Sequence, residues 1–64
     1  MDFYYKKAVS IRKSVKLTIN QVAEFLNKTR ATISSWEHGV REPSKSDIIA
    51  LSFLYDIKIS EIST

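Results

Sequence analysis

TINQVAEFLNKTRATISSWEHG, residues Thr18 to Gly39, decides the fold. Thr18 is a good N-cap, and Gln21 three residues later completes a capping-box pattern. In such a box the two side chains satisfy amides that a helix start leaves without partners. Ile19, Val22, Ala23 and Leu26 then recur at helical spacing and mark one inward face. Asn27 and Lys28 interrupt that pattern, and asparagine tolerates the left-handed backbone that ends helices. Thr29 caps a further helix at once, with Ile33 and Trp36 inward and Gly39 as its stop. Two short amphipathic helices with so little chain between them hold the second out from a small core as a rigid rod. A rod of that size fits the major groove of DNA.

Outward from this pair, the apolar spacing of Ala8, Ile11 and Val15 predicts a first helix over Lys7 to Val15, which Tyr4 and Tyr5 can extend by a turn. Val40 to Pro43 reads as a connecting loop, with Pro43 biasing Glu42 towards an extended backbone. Ser44 and Asp47 repeat the capping-box pattern and open a helix through Ile48, Ile49, Leu51, Leu54 and Tyr55. Ile57, Ile59 and Ile62 suggest a short terminal helix or turn; Lys58 cannot cap it as serine or aspartate would, so this end is expected to fray. No strand alternation or internal repeat competes. The expected fold is all-α, a compact bundle of about five short helices in a single domain over residues 1–64. Its core is expected to draw on Ala8, Ile11, Leu17, Val22, Ala23, Leu26, Ile33, Trp36, Ile48, Leu51 and Leu54.

Size and composition exclude much. Sixty-four residues without cysteine carry neither a disulfide framework nor a thiolate zinc site. His38 has no second histidine or cysteine with which to hold a metal, so no metal and no cofactor is expected. There is no glycine-rich phosphate loop, and Ser34 and Ser35 lack a base–orienter arrangement, so no catalytic residue is assigned and the chain does not read as an enzyme. No apolar run approaches a membrane span and the start lacks a signal-peptide core, so a cytoplasmic chain without membrane association is expected. The formal charge of +3 is unevenly placed: residues 1–45 hold nine Lys/Arg against four Asp/Glu, a balance of +5, whereas residues 46–64 hold one against three, a balance of −2. One end thus favours a polyanion.

The helix TRATISSWE leaves Arg30, Ala31, Thr32, Ser34 and Ser35 mostly on outward faces. Small residues allow close approach to base edges; Ala31 or the Thr32 methyl suits a thymine methyl, Arg30 suits guanine O6 and N7, and Ser35 can pair with either base type. The competing reading is ordinary solvent-facing polarity on a short helix. The tight junction with the preceding helix favours the reader, because a helix-turn-helix is a specific arrangement.

With LTINQVAEFL, TRATISSWEHG and REPS in place, followed by the spacing of Ile48, Leu51 and Leu54, the segment from Ile11 to Ile62 resembles the helix-turn-helix family of phage repressors and Cro proteins, the xenobiotic-response-element-like regulators. That resemblance implies a lambda-repressor-like domain that binds operator DNA as a dimer, usually as a repressor. By position it implies base reading by Arg30, Ala31 and Ser35, and phosphate contacts by Thr29, Thr32, Arg41 and the loop around Gly39. It also implies an ion pair between Arg12 and Glu37, linking the first helix to the end of the reading helix. His38 beside that loop and Lys28 in the turn are further candidates for phosphate contacts. Relatives commonly open the second helix with a phosphate-contacting glutamine; Ile19 stands there, leaving Asn20 as a partial substitute. The turn lacks its usual glycine, Asn27 and Lys28 standing in the turn positions, and Lys16 replaces another frequent glycine.

Phe3, Tyr4, Tyr5, Val15, Phe25 and Phe53 are an apolar surplus. Ile49, Phe53 and Ile57 are candidates for a homodimer seam, the alternative for Phe53 being an extended core; Phe3 is expected in the core. Double-stranded DNA is the expected partner. An antitoxin that binds a toxin or another protein is the alternative on the same fold, and a scaffold without a DNA role is a third.

Overall fold

Local capping signals place most of the elements in the computed structural model, which describes residues 2–64. Four α-helices and a 3₁₀ turn follow in order: α1 Tyr5–Ser14, α2 Ile19–Leu26, α3 Arg30–Glu37, α4 Lys45–Tyr55 and the turn Ile59–Glu61. Thr18 caps α2 reciprocally with Gln21, Ser44 caps α4 reciprocally with Asp47, and Thr29 accepts from the Thr32 amide at the start of α3. The chain is an all-α bundle of about five short helical elements around a helix-turn-helix.

Three helices stop without glycine. Lys16, Asn27 and Asp56 take the left-handed conformation at φ 61°, 56° and 56°, ending α1, α2 and α4. Asparagine and aspartate reach that region with local polar help; lysine does so at a cost of about 1–2 kcal/mol. Gly39, at φ 73°, ends α3.

The core comprises Phe3, Ala8, Val22, Ala23, Ile33, Trp36, Ile48, Leu51, Tyr55 and Ile62, with Ile11, Leu17, Ile19, Leu26, Leu54 and Ile57 packed around it. Each large side chain fully buried contributes about 1.5–3 kcal/mol before the cost of ordering the chain.

Two sequence expectations need correction. The first helix begins at Tyr5, within the extension expected for it, but Val15, expected inside it, is its exposed C-cap. Tyr5 can enter because the Tyr4 carbonyl already accepts from the Ala8 amide. The terminal segment, expected to fray, is tied down. The Phe3–Ser63 bridge is antiparallel, the Tyr4 amide donates to Ile62 O at 2.8 Å, and the Thr64 amide donates to Asp2 O at 3.0 Å. Lys58 gives no side-chain cap, but Glu61 Oε2 accepts from the Lys58 amide at 3.1 Å. Ile62 is thereby fully buried, an anchor that outweighs a poor cap.

Candidate nucleic-acid interface

The turn between α2 and α3 closes on backbone bonds. The Lys28 amide donates to Ala23 O at 2.9 Å and the Asn27 amide to Glu24 O at 3.2 Å, with Asn27 in the left-handed region where a glycine is common. Thr29 starts α3 two residues later, so the second helix leaves the first at a defined angle. Ile33 and Trp36 anchor the inner face of α3, both buried among α1, α2 and α4 residues.

The far end of α3 is held by charge. The Arg12 guanidinium donates from Nε to Glu37 Oε2 at 2.7 Å and from Nη2 to Oε1 at 3.1 Å, while Nη1 donates to Leu17 O at 2.8 Å. The two side chains are only 10% and 8% exposed. Hydrogen bonding to Glu37 holds Arg12 above its ordinary pKa, against the opposing effect of burial. The pair ties the middle of the α1–α2 region to the last residue of α3 and so fixes how α3 is presented. Beneath it, burial, with a smaller contribution from the Glu37 carboxylate, pushes the Tyr55 phenol up to about 12.

The outward face of α3 divides into open and occupied groups. Arg30 and Ala31 are exposed at its amino end. Arg30 shares a cleft of about 400 Å³ with Thr18, Ile19 and Asn20, so the start of α2 and the start of α3 open onto one space. Thr29 and Thr32 bond each other through their hydroxyls at 2.8 Å. Ser35 is half-buried and its hydroxyl donates to Thr32 O at 2.7 Å, leaving it free to accept but not to donate. His38 turns back over the helix end, Nδ1 lying 2.7 Å from Ser34 O. Arg41 is exposed in the following loop, where its amide and that of Val40 converge on Ser35 O. Lys28 points elsewhere: its ammonium lies 3.7 Å from Asp47 on α4, a long contact with an exposed lysine and a partly buried carboxylate.

The dimer candidates separate. Ile49 and Phe53 are exposed, Phe53 by 78%, so Phe53 is not an extension of the core. Ile57 is half-buried against the core. Sequence reasoning missed two contacts here. Phe25 of α2 stacks on Phe53 with ring centroids 6.5 Å apart, and Tyr5 lies against Gly39. Neither could be found by spacing within one element, although Gly39 is the chain's one glycine and so marks a special backbone position.

Two short helices joined by a tight turn, the second pinned on its inner face and open on its outer one, define a helix-turn-helix module. Residues 10–62 match the helix-turn-helix family, and the chain belongs to it. It is a DNA-binding transcriptional regulator of the helix-turn-helix kind. Among solved structures it is similar to the restriction-modification controller protein C.AhdI from Aeromonas hydrophila, with TM-score 0.83 and 22% identity over 91% of this chain and 88% of that one. It is also similar to part of hydroxypropylphosphonic acid epoxidase from S. wedmorenis, with TM-score 0.85 and 19% identity over 95% of this chain. There the chain spans 32% of the enzyme's length, and at these identities the likeness is one of fold. No curated protein sequence matches significantly. Among the described residues, no group of three His, Cys, Asp or Glu is placed to hold a metal ion, and no helix is long and apolar enough to cross a membrane.

Proposed function

We propose that the chain acts as a single domain in the cytoplasm, recognising one operator sequence as a homodimer and repressing transcription by occupying it. The observation that carries this reading is the presentation of α3. Its inner face is locked by Ile33, Trp36 and the Arg12–Glu37 pair, while Arg30 and Ala31 stand free at the end that enters a groove first. Arg30 then reads a guanine, and Ala31 supplies close fit to a thymine methyl. Ser35 contributes as an acceptor, since its proton is committed to Thr32 O. Thr29, Asn20 and Arg41 line the approach to the backbone, with His38 and Thr32 beside them. Lys28 adds to the general positive field while paired with Asp47. The controller protein C.AhdI, similar over most of its length, supports a regulator built from little more than this fold.

The dimer seam is assigned to Ile49 and Phe53, bordered by Ile57. A second reading, a protein partner such as a toxin seated on the same face, is favoured by the exposed Phe25–Phe53 stack. Selection from random DNA tests the proposal. An enriched site is expected, with half-sites about 34–36 Å apart. Arg30→Ala should lose about 1–3 kcal/mol of discrimination at one base pair. No enrichment at any salt concentration would reject the proposal, and equal loss on selected and random DNA would demote Arg30 to a phosphate contact.

A further inference from the structure

Tyr5 is the first residue of α1, yet its ring lies on the loop that leaves α3. A Cβ built on Gly39 would meet Tyr5 Cε1 at 2.8 Å, Cζ at 2.9 Å and Cδ1 at 3.2 Å, so one edge of the ring, up to the carbon that bears the hydroxyl, lies against Gly39. Gly39 has φ +73°, and the space a side chain would need there is filled by this ring. Tyr5 remains 36% exposed, so the loop covers only part of it. The exposed part of Tyr5 thus lies beside the exposed run His38, Gly39, Val40 and Arg41. On the other side, an open groove of about 450 Å³ follows residues Phe3 to Lys7, with Lys6 and Lys7 in its wall.

We infer that Tyr5 is a phosphate contact: its phenolic hydroxyl donates to a backbone phosphate oxygen at the rim of the groove that α3 enters. The inference rests on the DNA-binding reading above. A phosphate oxygen only accepts, and a neutral phenol donates one hydrogen bond to it; tyrosine is among the side chains that make such contacts. The hydroxyl lies at the exit of α3, away from the amino end that carries Arg30, so it positions the protein and does not read sequence. Its ring is already fixed against Gly39, which lowers the ordering cost of the contact. Basic side chains on both flanks, Lys6 and Lys7 on one and Arg41 on the other, draw the DNA backbone to this point.

Tyr5→Phe keeps the ring on Gly39 and removes only the hydroxyl. With the duplex selected from random DNA as probe, affinity should fall about tenfold. The same loss is expected on a duplex with the site scrambled. The salt dependence should not change, because a neutral hydroxyl releases no counterion. The thermal midpoint should stay within a few degrees of the parent, and Tyr4→Phe should bind as the parent does. Unchanged affinity of Tyr5→Phe while the parent binds would overturn this inference alone. A loss confined to the selected duplex, a matching loss in Tyr4→Phe, or a loss explained by unfolding would overturn it as well. If the parent chain bound neither duplex at low salt, the DNA-binding reading would fall and this contact with it.

Discussion

Glu37→Ala should be among the most damaging single substitutions in this domain. Removing the carboxylate leaves the Arg12 guanidinium, on a side chain only 10% exposed, with only its bond to Leu17 O and no counter-charge. Breaking a buried pair from one side costs about 3–5 kcal/mol. A domain of 64 residues has a total stability of roughly 3–10 kcal/mol at about 0.05–0.15 kcal/mol per residue. The variant is thus expected at the edge of unfolding, with a thermal midpoint lowered by at least about 12 °C at roughly 4–8 °C per kcal/mol. Trp36, the single tryptophan and the neighbour of Glu37, is buried and reports the transition by fluorescence in urea. The pair is separated from simple packing by a cycle. Arg12→Met combined with Glu37→Leu removes both charges, and it should be more stable than the sum of the single losses by about 0.5–3 kcal/mol. A loss below about 1 kcal/mol in Glu37→Ala, the range of exposed pairs, would refute the claim that this contact holds α3 to α1.

Three further outcomes follow from the same coordinates. Lys16→Gly should stabilise the domain by about 0.5 kcal/mol, because relief of about 1–2 kcal/mol of left-handed strain exceeds the entropy a glycine adds to the unfolded chain; a lower urea midpoint would contradict it. The Tyr55 phenol has its pKa raised from an unfolded value of 10.0 to about 12, so its contribution is complete below pH 10 and is lost as pH rises through 12. Tyr55→Phe should flatten that alkaline loss in a urea series across the window, and an unaltered slope would count against a buried neutral phenol. Phe53→Lys should leave folding within about 0.5 kcal/mol, since the ring is exposed, while weakening self-association. A urea midpoint checks the first and sedimentation equilibrium the second, and a parent chain that stays monomeric free and on DNA would remove the dimer.

Legibility in the sequence tracked the range of the interaction. Thr18 with Gln21, Thr29 with Thr32, and Ser44 with Asp47 are bonds between residues three apart, and each helix start they predict is present. Ile33 and Trp36 were readable as inward because helical spacing alone selects that face. What escaped depends on segments distant in the chain. The terminal turn was expected to fray because its own cap is poor, but its anchor is the strand-like pairing with residues 2–4. Ile62 joined the core for the same reason. Lys28 read as a candidate phosphate contact because Asp47, its partner, lies 19 positions further on. Within the candidate site, the residues at the groove end of α3 could be named from their order, whereas the commitment of the Ser35 proton and the seat of Tyr5 on Gly39 required coordinates.

The central claim is that α3 meets DNA with its amino end and its exit loop, held in place from behind. Titrating the isotopically labelled chain with its selected duplex, and mapping amide shift changes by residue, tests it most directly. The account predicts the largest changes over residues 29–35 and 38–41, with Asn20 and Tyr5 included and the buried amides of Ile33 and Trp36 following passively. Changes centred on Phe25, Ile49 and Phe53 with residues 29–35 silent, or no changes at low salt, would contradict it.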